Sequence, residues 1–476
     1  MTPGVDCWRI ERADRMTVIV DADDYFRVAR EAMLQARQRI LLIGWDFDAR
    51  IKLDHQIKGE RPLGRFLYEV VEANPELEIF LLRWDVGAMK SLVRGSTIFS
   101  VLRWMAHPRI HTRMDGHHPF GGSHHQKIVI IDDCLAFCGG IDMTGDRWDT
   151  REHRHDDARR RRPSGRPYKP WHDAISAVAG PVATALGQLF RDRWVLAGGV
   201  PIAEASPGAA CWPDELGVHF RDVDVAIART EPEMDDQVPV HESEALFLAQ
   251  IAGAKRHLYI ESQYFASRKI AEAVARRLDE ADGPEIVIIN PVTAQGWLEP
   301  IAMDTARARL MTALAHRDVH KRLRMYHPYT SGGEAIYCHA KILIADDQIF
   351  RLGSSNMNNR SLRLDTECDL AIRAHDEATS TGITAIRNDL IAEHLAVDVE
   401  VVTTMIAETG SLIETIERLR GQGKSLRAYE APDLTAVEEW LADNEVLDPE
   451  GPEEMFESFA KRGLFRRLRH RRPKKK

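Results

Sequence analysis

His125-Gln-Lys127-Ile-Val-Ile-Ile-Asp132 and His339-Ala-Lys341-Ile-Leu-Ile-Ala-Asp346 are one pattern written twice in this 476-residue chain. Each copy has an apolar run between its Lys and its Asp, the mark of a buried strand, and each is followed by small residues, Gly139-Gly140 and Gly353-Ser354. Working outward, more segments recur in the same order. Ala36-Arg-Gln-Arg-Ile-Leu-Leu-Ile-Gly-Trp45 resembles Ala254-Lys-Arg-His-Leu-Tyr-Ile-Glu-Ser-Gln263, a helix end running into a strand, and Glu78-Ile-Phe-Leu-Leu recurs as Glu285-Ile-Val-Ile-Ile. Helical stretches such as 63–72 and 270–280 lie between the strands, so each copy reads as an α/β layer. A tandem duplication follows: residues 1–205 form a first half, 206–445 a second half with closing helices, and 446–476 a flexible tail, acidic and then basic.

Composition sets the frame. With 44% hydrophobic and 29% charged residues the chain is globular rather than fibrous or disordered. No apolar run is long enough to span a bilayer, and Met1 to Asp21 has charges where a signal peptide carries its apolar stretch. A cytoplasmic protein is expected. Its six cysteines lack the spacing of a zinc site or a disulfide framework and read as buried thiols. The formal charge of −9 conceals a tail, Lys461 to Lys476, with ten Lys or Arg and no acid. Arg151 to Pro170, with Arg159 to Arg162 in a row, reads as a basic mobile loop.

In an extended His-x-Lys stretch both side chains emerge on one face, an imidazole beside an ammonium, which suits a phosphate. The Asp beyond the apolar run is better placed to fix the local backbone. A lone His-x-Lys means little; two copies at matching points of a repeat mean far more.

The paired motifs resemble the HxKxxxxD motifs of the phospholipase D superfamily, and the resemblance runs from about Met16 to Leu395. Gly139-Gly-Ile-Asp-Met with Arg147-Trp-Asp149, Pro170-Trp-His-Asp173, Leu258 to Phe265, and Gly353 to Ser361 are similar to the subgroup that contains the eukaryotic phospholipases D. The resemblance implies two phospholipase D-like α/β sandwich halves about a pseudo-two-fold axis, with one active site at their interface. It also implies catalysis by His125, Lys127, Asp132, His339, Lys341 and Asp346. His125 is the nucleophile, giving a phosphohistidine, and His339 the general acid that then activates water. The lysines offset phosphate charge. In this family a carboxylate some way downstream holds each imidazole's other nitrogen; Asp173 and Glu367 match that position in the first and second halves. Asn356 and Ser354, with both lysines, are the expected phosphate binders, whereas Asp142 stands where the second half has Asn356 and braces its loop, against Arg147.

No cofactor and no metal belong to this scheme. His111, His117, His118, His124, His153, His155 and His172 lack a cysteine or carboxylate at ligand spacing. The resemblance implies hydrolysis of a phosphatidylcholine-like lipid to phosphatidic acid and head-group alcohol, with transphosphatidylation as a side reaction. The partner is a phospholipid at a membrane surface, with peripheral association and anionic-lipid contact through the basic tail. A nuclease and a cardiolipin-synthase-like phosphatidyltransferase are the alternatives. No obligatory nucleic acid is expected, and a monomer suffices for one site.

Overall fold

A computed structural model gives the fold and describes residues 1–85, 103–104, 106–206, 212–235, 237–295 and 303–431. The basic tail and Cys211 lie outside the described residues. The first half contains β1 (Arg9–Val20), β2 (Arg39–Gly44), β3 (Glu78–Trp84), β4 (Ile110–Asp115), β5 (Ile128–Ile131), β6 (Leu135–Gly139), β7 (Trp171–His172) and β8 (Ala174–Ala179). The second contains β9 (Phe220–Glu231), β10 (Val240–His241), β11 (His257–Glu261), β12 (Glu285–Ile289), β13 (Leu323–Tyr329), β14 (Tyr337–Cys338), β15 (Ile342–Ala345), β16 (Ile349–Gly353), β17 (Glu367–Arg373) and β18 (Ser425–Ala428).

Hydrogen-bonded order in the first half is β4-β3-β2-β5-β6-β8-β1, and in the second β13-β12-β11-β15-β16-β17-β9, with β18 added at the far edge. The two orders are the same list read through the repeat. They join where β1 and β9 pair antiparallel, Arg9 opposite Ile227 and Met16 opposite Phe220. The expected duplication of an α/β layer is therefore present.

Period-two alternation sorts each strand's side chains between cores. Leu41 and Ile43 of β2, with Tyr259, Val287 and Ile342 from the other half, enter one central core shared by both halves. Ile40 and Leu42 turn outward to a core closed by α1 (Ala22–Gln35) and α2 (Leu63–Ala73). In α2 the helical spacing of Leu63, Phe66, Leu67, Val70 and Val71 makes the buried face. The second half has its own outer core around Leu258, Ile260, Ile286 and Leu343. Between the halves run α3 (Pro181–Leu196) and α7 (Glu377–Leu395), the latter following α4 (Glu242–Gly253), α5 (Arg268–Asp279) and α6 (Thr305–Arg317). The chain's described part closes with α8 (Val399–Thr409) and α9 (Leu412–Leu419). No described helix is long and apolar enough to cross a membrane.

The basic run is tied down in part: Arg160 is buried 3.2 Å from both oxygens of Asp149, Arg159 pairs with Asp157 and Arg162 with Asp146, while Arg161 and Arg162 stay exposed. One expectation is corrected. Cys7, Cys138, Cys338 and Cys368 are buried free thiols, but Cys134, half-buried in the turn after β5, is disulfide-bonded.

Candidate active site

Both motifs occupy the same structural station. Lys127 and Lys341 precede β5 and β15, and Asp132 and Asp346 follow them. Each Asp adopts positive φ, 48° and 55°, in the turn to the next strand, a conformation Asp tolerates better than most residues. Asp132 accepts N–H bonds from Arg37, Gln38 and Arg39 at 2.8, 2.8 and 2.6 Å; Asp346 accepts from Lys255, Arg256 and His257 at 2.6, 2.7 and 3.0 Å. A whole strand separates these carboxylates from their histidines, so their place among the catalytic residues is corrected: they are backbone anchors.

The histidines come together through an exchange between halves. Residues 171–172 of β7 pair in parallel with 337–338 of β14, and His339 N–H donates to His172 O at 2.7 Å. In mirror fashion His124 bridges Thr366, and His125 N–H donates to Thr366 O at 2.9 Å. Each motif therefore receives the carboxylate of the other half. His125 Nδ1 lies 3.0 Å from both oxygens of Glu367, and His339 Nδ1 lies 2.7 Å from Asp173 Oδ2. The expectation that each carboxylate serves the histidine upstream in its own half is corrected accordingly.

Small residues make room for this. A Cβ on Gly140 would stand 2.1 Å from Asp173 Oδ1, and one on Gly353 1.9 Å from Asp369 Oδ1. Ser354 donates to Glu367 Oε2 at 2.5 Å and accepts Cys368 N–H at 3.0 Å. Its hydroxyl is committed to the carboxylate, which corrects its assignment to phosphate.

A cavity of about 420 Å³ opens at the interface, with His125, His339, Asn356, Trp45, Trp171 and Gln263 among its walls. Lys127 Nζ donates to His125 O at 2.7 Å and lies 3.4 Å from Asp142 Oδ2. Lys341 Nζ bonds His339 O and, at 3.2 Å, Gln263 Oε1. Asn356 donates to the same oxygen at 3.3 Å. One lysine thus faces a carboxylate and the other a neutral amide. Asp142 does brace a loop, but through Trp45 N–H at 3.0 Å and Lys127 rather than Arg147, whose guanidinium sits over the Trp171 ring at 4.3 Å.

Electrostatics follow from burial. Desolvation, with the charges of Lys127 and Lys341 behind it, holds both imidazoles well below their usual range, and burial pushes Glu367 well above and Asp173 above theirs. Burial brings Lys341 down to about 7. A neutral, aimed imidazole can attack phosphorus, and a protonated one can give its proton to a leaving group.

Trp45, Gln263 and Trp171 carry no sequence signal of their own, although Gln263 and Trp171 sit inside stretches that resemble family motifs. The repeat could have pointed to Gln263, since it aligns with Trp45.

A family model described as Phospholipase D matches residues 32–274, and one described as Cardiolipin synthase, PLD-like domain, matches residues 247–386. Phospholipase D1 of Saccharomyces cerevisiae is 25% identical over 81% of this chain and 29% of its own length. Phospholipase D A of Dictyostelium discoideum is 22% identical over 81% of this chain and 35% of its own. The chain thus spans only about a third of those two relatives. Phospholipase D alpha 1 of Carica papaya is 21% identical, with 84% and 67% covered. Among solved structures, phosphatidylserine synthase of Haemophilus influenzae Rd KW20 shares the fold with a TM-score of 0.58, at 14% identity, covering 79% of this chain and 86% of that one.

Proposed function

Since this chain belongs to the phospholipase D family, we propose that it cleaves the head-group phosphodiester of glycerophospholipids, of the phosphatidylcholine type, through a phosphohistidine. His125 Nε2 attacks phosphorus while the P–O bond to the head group breaks, and His339 Nε2–H protonates the leaving alkoxide. Water then gives a proton to His339 as its oxygen attacks phosphorus and releases His125, yielding phosphatidic acid. An alcohol in place of water yields a transphosphatidylation product. Glu367 and Asp173 hold the imidazoles' tautomers, as the triad carboxylate does elsewhere. Lys127, Lys341 and Asn356 hold the non-bridging oxygens, where preorganised positive charge contributes most to such reactions.

The observation that carries this reading is the reciprocal exchange: two imidazole–carboxylate pairs, each built from both halves, on one cavity. The place of the first motif in the family pattern assigns His125 as the nucleophile. Against the nuclease alternative, Arg159, Arg160 and Arg162 pair with Asp157, Asp149 and Asp146. Lipid is met at a membrane surface, with the basic tail as anionic-lipid contact.

The test is incubation with mixed phospholipid vesicles, with and without ethanol, and mass spectrometry of the products. Phosphatidic acid, or phosphatidylethanol when ethanol is added, lost in both His125→Ala and His339→Ala, supports the reading. His-dependent cleavage of single-stranded DNA with intact lipid sinks it.

A further inference from the structure

Behind Asp173, away from the cavity, four side chains from distant parts of the chain converge: Asp21 after β1, His153 in the basic segment, His172 on β7 and Glu393 on α7. One ligand atom from each lies within 4.8 Å of all the others, and the four are buried or nearly so. We propose that they form a binding site for a divalent transition-metal ion of the zinc class, with two imidazole nitrogens and two carboxylate oxygens as ligands.

The spacing is the first reason. His153 Nε2 stands 3.3 Å from Asp21 Oδ2 and 3.1 Å from Glu393 Oε1. His172 Nδ1 stands 3.4 Å from Asp21 Oδ1 and 3.0 Å from Glu393 Oε1. Ligands about 2.1 Å from a tetrahedral zinc are about 3.4 Å from one another, so these edges need only open slightly to hold an ion.

Orphaned atoms are the second. Asp21 Oδ2 and His172 Nδ1 are buried, in residues 1% and 0% exposed, and make no well-aligned hydrogen bond although Asp21 Oδ2 lies 3.3 Å from His153 Nε2 and His172 Nδ1 3.0 Å from Glu393 Oε1. Unsatisfied buried acceptors and donors of this kind cost stability unless something fills the gap. A metal ion does so for both at once.

The outer partners are the third. The nitrogen of each imidazole that points away from the cluster is held by another carboxylate: His153 Nδ1 by Asp149 at 3.2 Å, His172 Nε2 by Glu261 at 2.8 Å. Carboxylate–histidine–metal arrays use this arrangement to fix the tautomer and strengthen the ligand. A surface cavity of about 340 Å³ has Asp21, alone of the four, in its wall, beside Asp23, Asp24 and Arg151.

The ion acts on architecture rather than on phosphorus. Asp21 accepts Asp173 N–H at 3.0 Å and donates its own N–H to Asp173 O at 2.8 Å, so a fixed Asp21 and His172 clamp from both sides the residue that aims His339.

The test is stripping the full chain with a chelator, then adding Co2+ and Zn2+ by equilibrium dialysis. The site predicts one tight Zn2+ per chain, the visible bands of tetrahedral cobalt, a higher melting temperature with Zn2+, and loss of all three in His153→Ala and Glu393→Gln. Wild-type protein without tight Zn2+ or tetrahedral cobalt bands overturns the proposal whatever the variants do. Binding that survives in folded His153→Ala and Glu393→Gln overturns it too. In that event the cluster is a network of imidazolium–carboxylate pairs.

Discussion

His125 and Glu367 lie 242 residues apart in the chain and meet at 3.0 Å, while Asp173 of the first half reaches His339 of the second at 2.7 Å. Neither motif histidine finds its carboxylate in its own half. Replacing either carboxylate by its amide keeps the shape but disturbs the tautomer, so Glu367→Gln and Asp173→Asn are each expected to lower kcat by roughly 10²- to 10⁴-fold with KM little changed. Steady-state kinetics on a soluble short-chain lipid reads this. A loss confined to KM would mean that the carboxylates only shape the cavity.

Lys341 makes the free enzyme sensitive to base near neutrality. Burial brings its ammonium down to about 7, so as pH rises through that value the free site loses a phosphate-holding charge. A bound phosphodiester restores the charge. The profile of kcat/KM therefore falls on its basic side near pH 7, whereas kcat stays flat to higher pH. In Lys341→Arg, whose charge persists, the basic limb moves up by more than one unit.

Gly140 leaves the space that Asp173 fills, since a Cβ there would stand 2.1 Å from Asp173 Oδ1. Gly140→Ala should cut kcat at least about tenfold by displacing Asp173, in line with the sensitivity of reactions to small misplacements. Gly145→Ala is the control, because its Cβ meets nothing closer than 3.7 Å. Equal losses in both would point to general destabilisation.

Arg193 on α3 pairs with buried Asp115 and donates to Thr366 Oγ1 of the other half at 3.1 Å. Arg193→Ala leaves that carboxylate buried without its guanidinium, at an expected cost of about 3–5 kcal/mol in chemical denaturation. Beside it His124 lies 3.1 Å from Asp115, and burial and Arg193 hold its imidazole down at about 4. Between about 6.5 and 4 the unfolded chain takes up this proton and the folded chain does not, so stability is full above that window and falls as pH drops through it. His124→Gln should flatten that slope; an unchanged slope would mean other groups dominate.

How much of this could be read beforehand depends on whether the signal was local. The duplicated motif, its strands and the carboxylates Asp173 and Glu367 were legible because each is a short pattern repeated in register. Which carboxylate serves which histidine was not, since a repeat shows that two positions are equivalent and is silent on exchange between copies. Ser354 looked like a phosphate ligand from its place after the glycine, yet its hydroxyl turns to Glu367. Arg159, Arg160 and Arg162 read as free because their acids, Asp157, Asp149 and Asp146, are not part of the run. His153 and His172 carry no local ligand pattern, because Asp21 and Glu393 arrive from the end of β1 and from α7.

The most direct test of the central claim uses His339→Ala with a phosphatidyl ester of p-nitrophenol, a leaving group that needs no general acid. Attack then proceeds while water activation is lost, so the account predicts a burst of about one nitrophenol per chain and a phosphatidyl adduct that peptide mass spectrometry places on His125. An adduct on His339 in the reciprocal His125→Ala protein, with none on His125, would contradict the assignment; no adduct in either would contradict covalent catalysis.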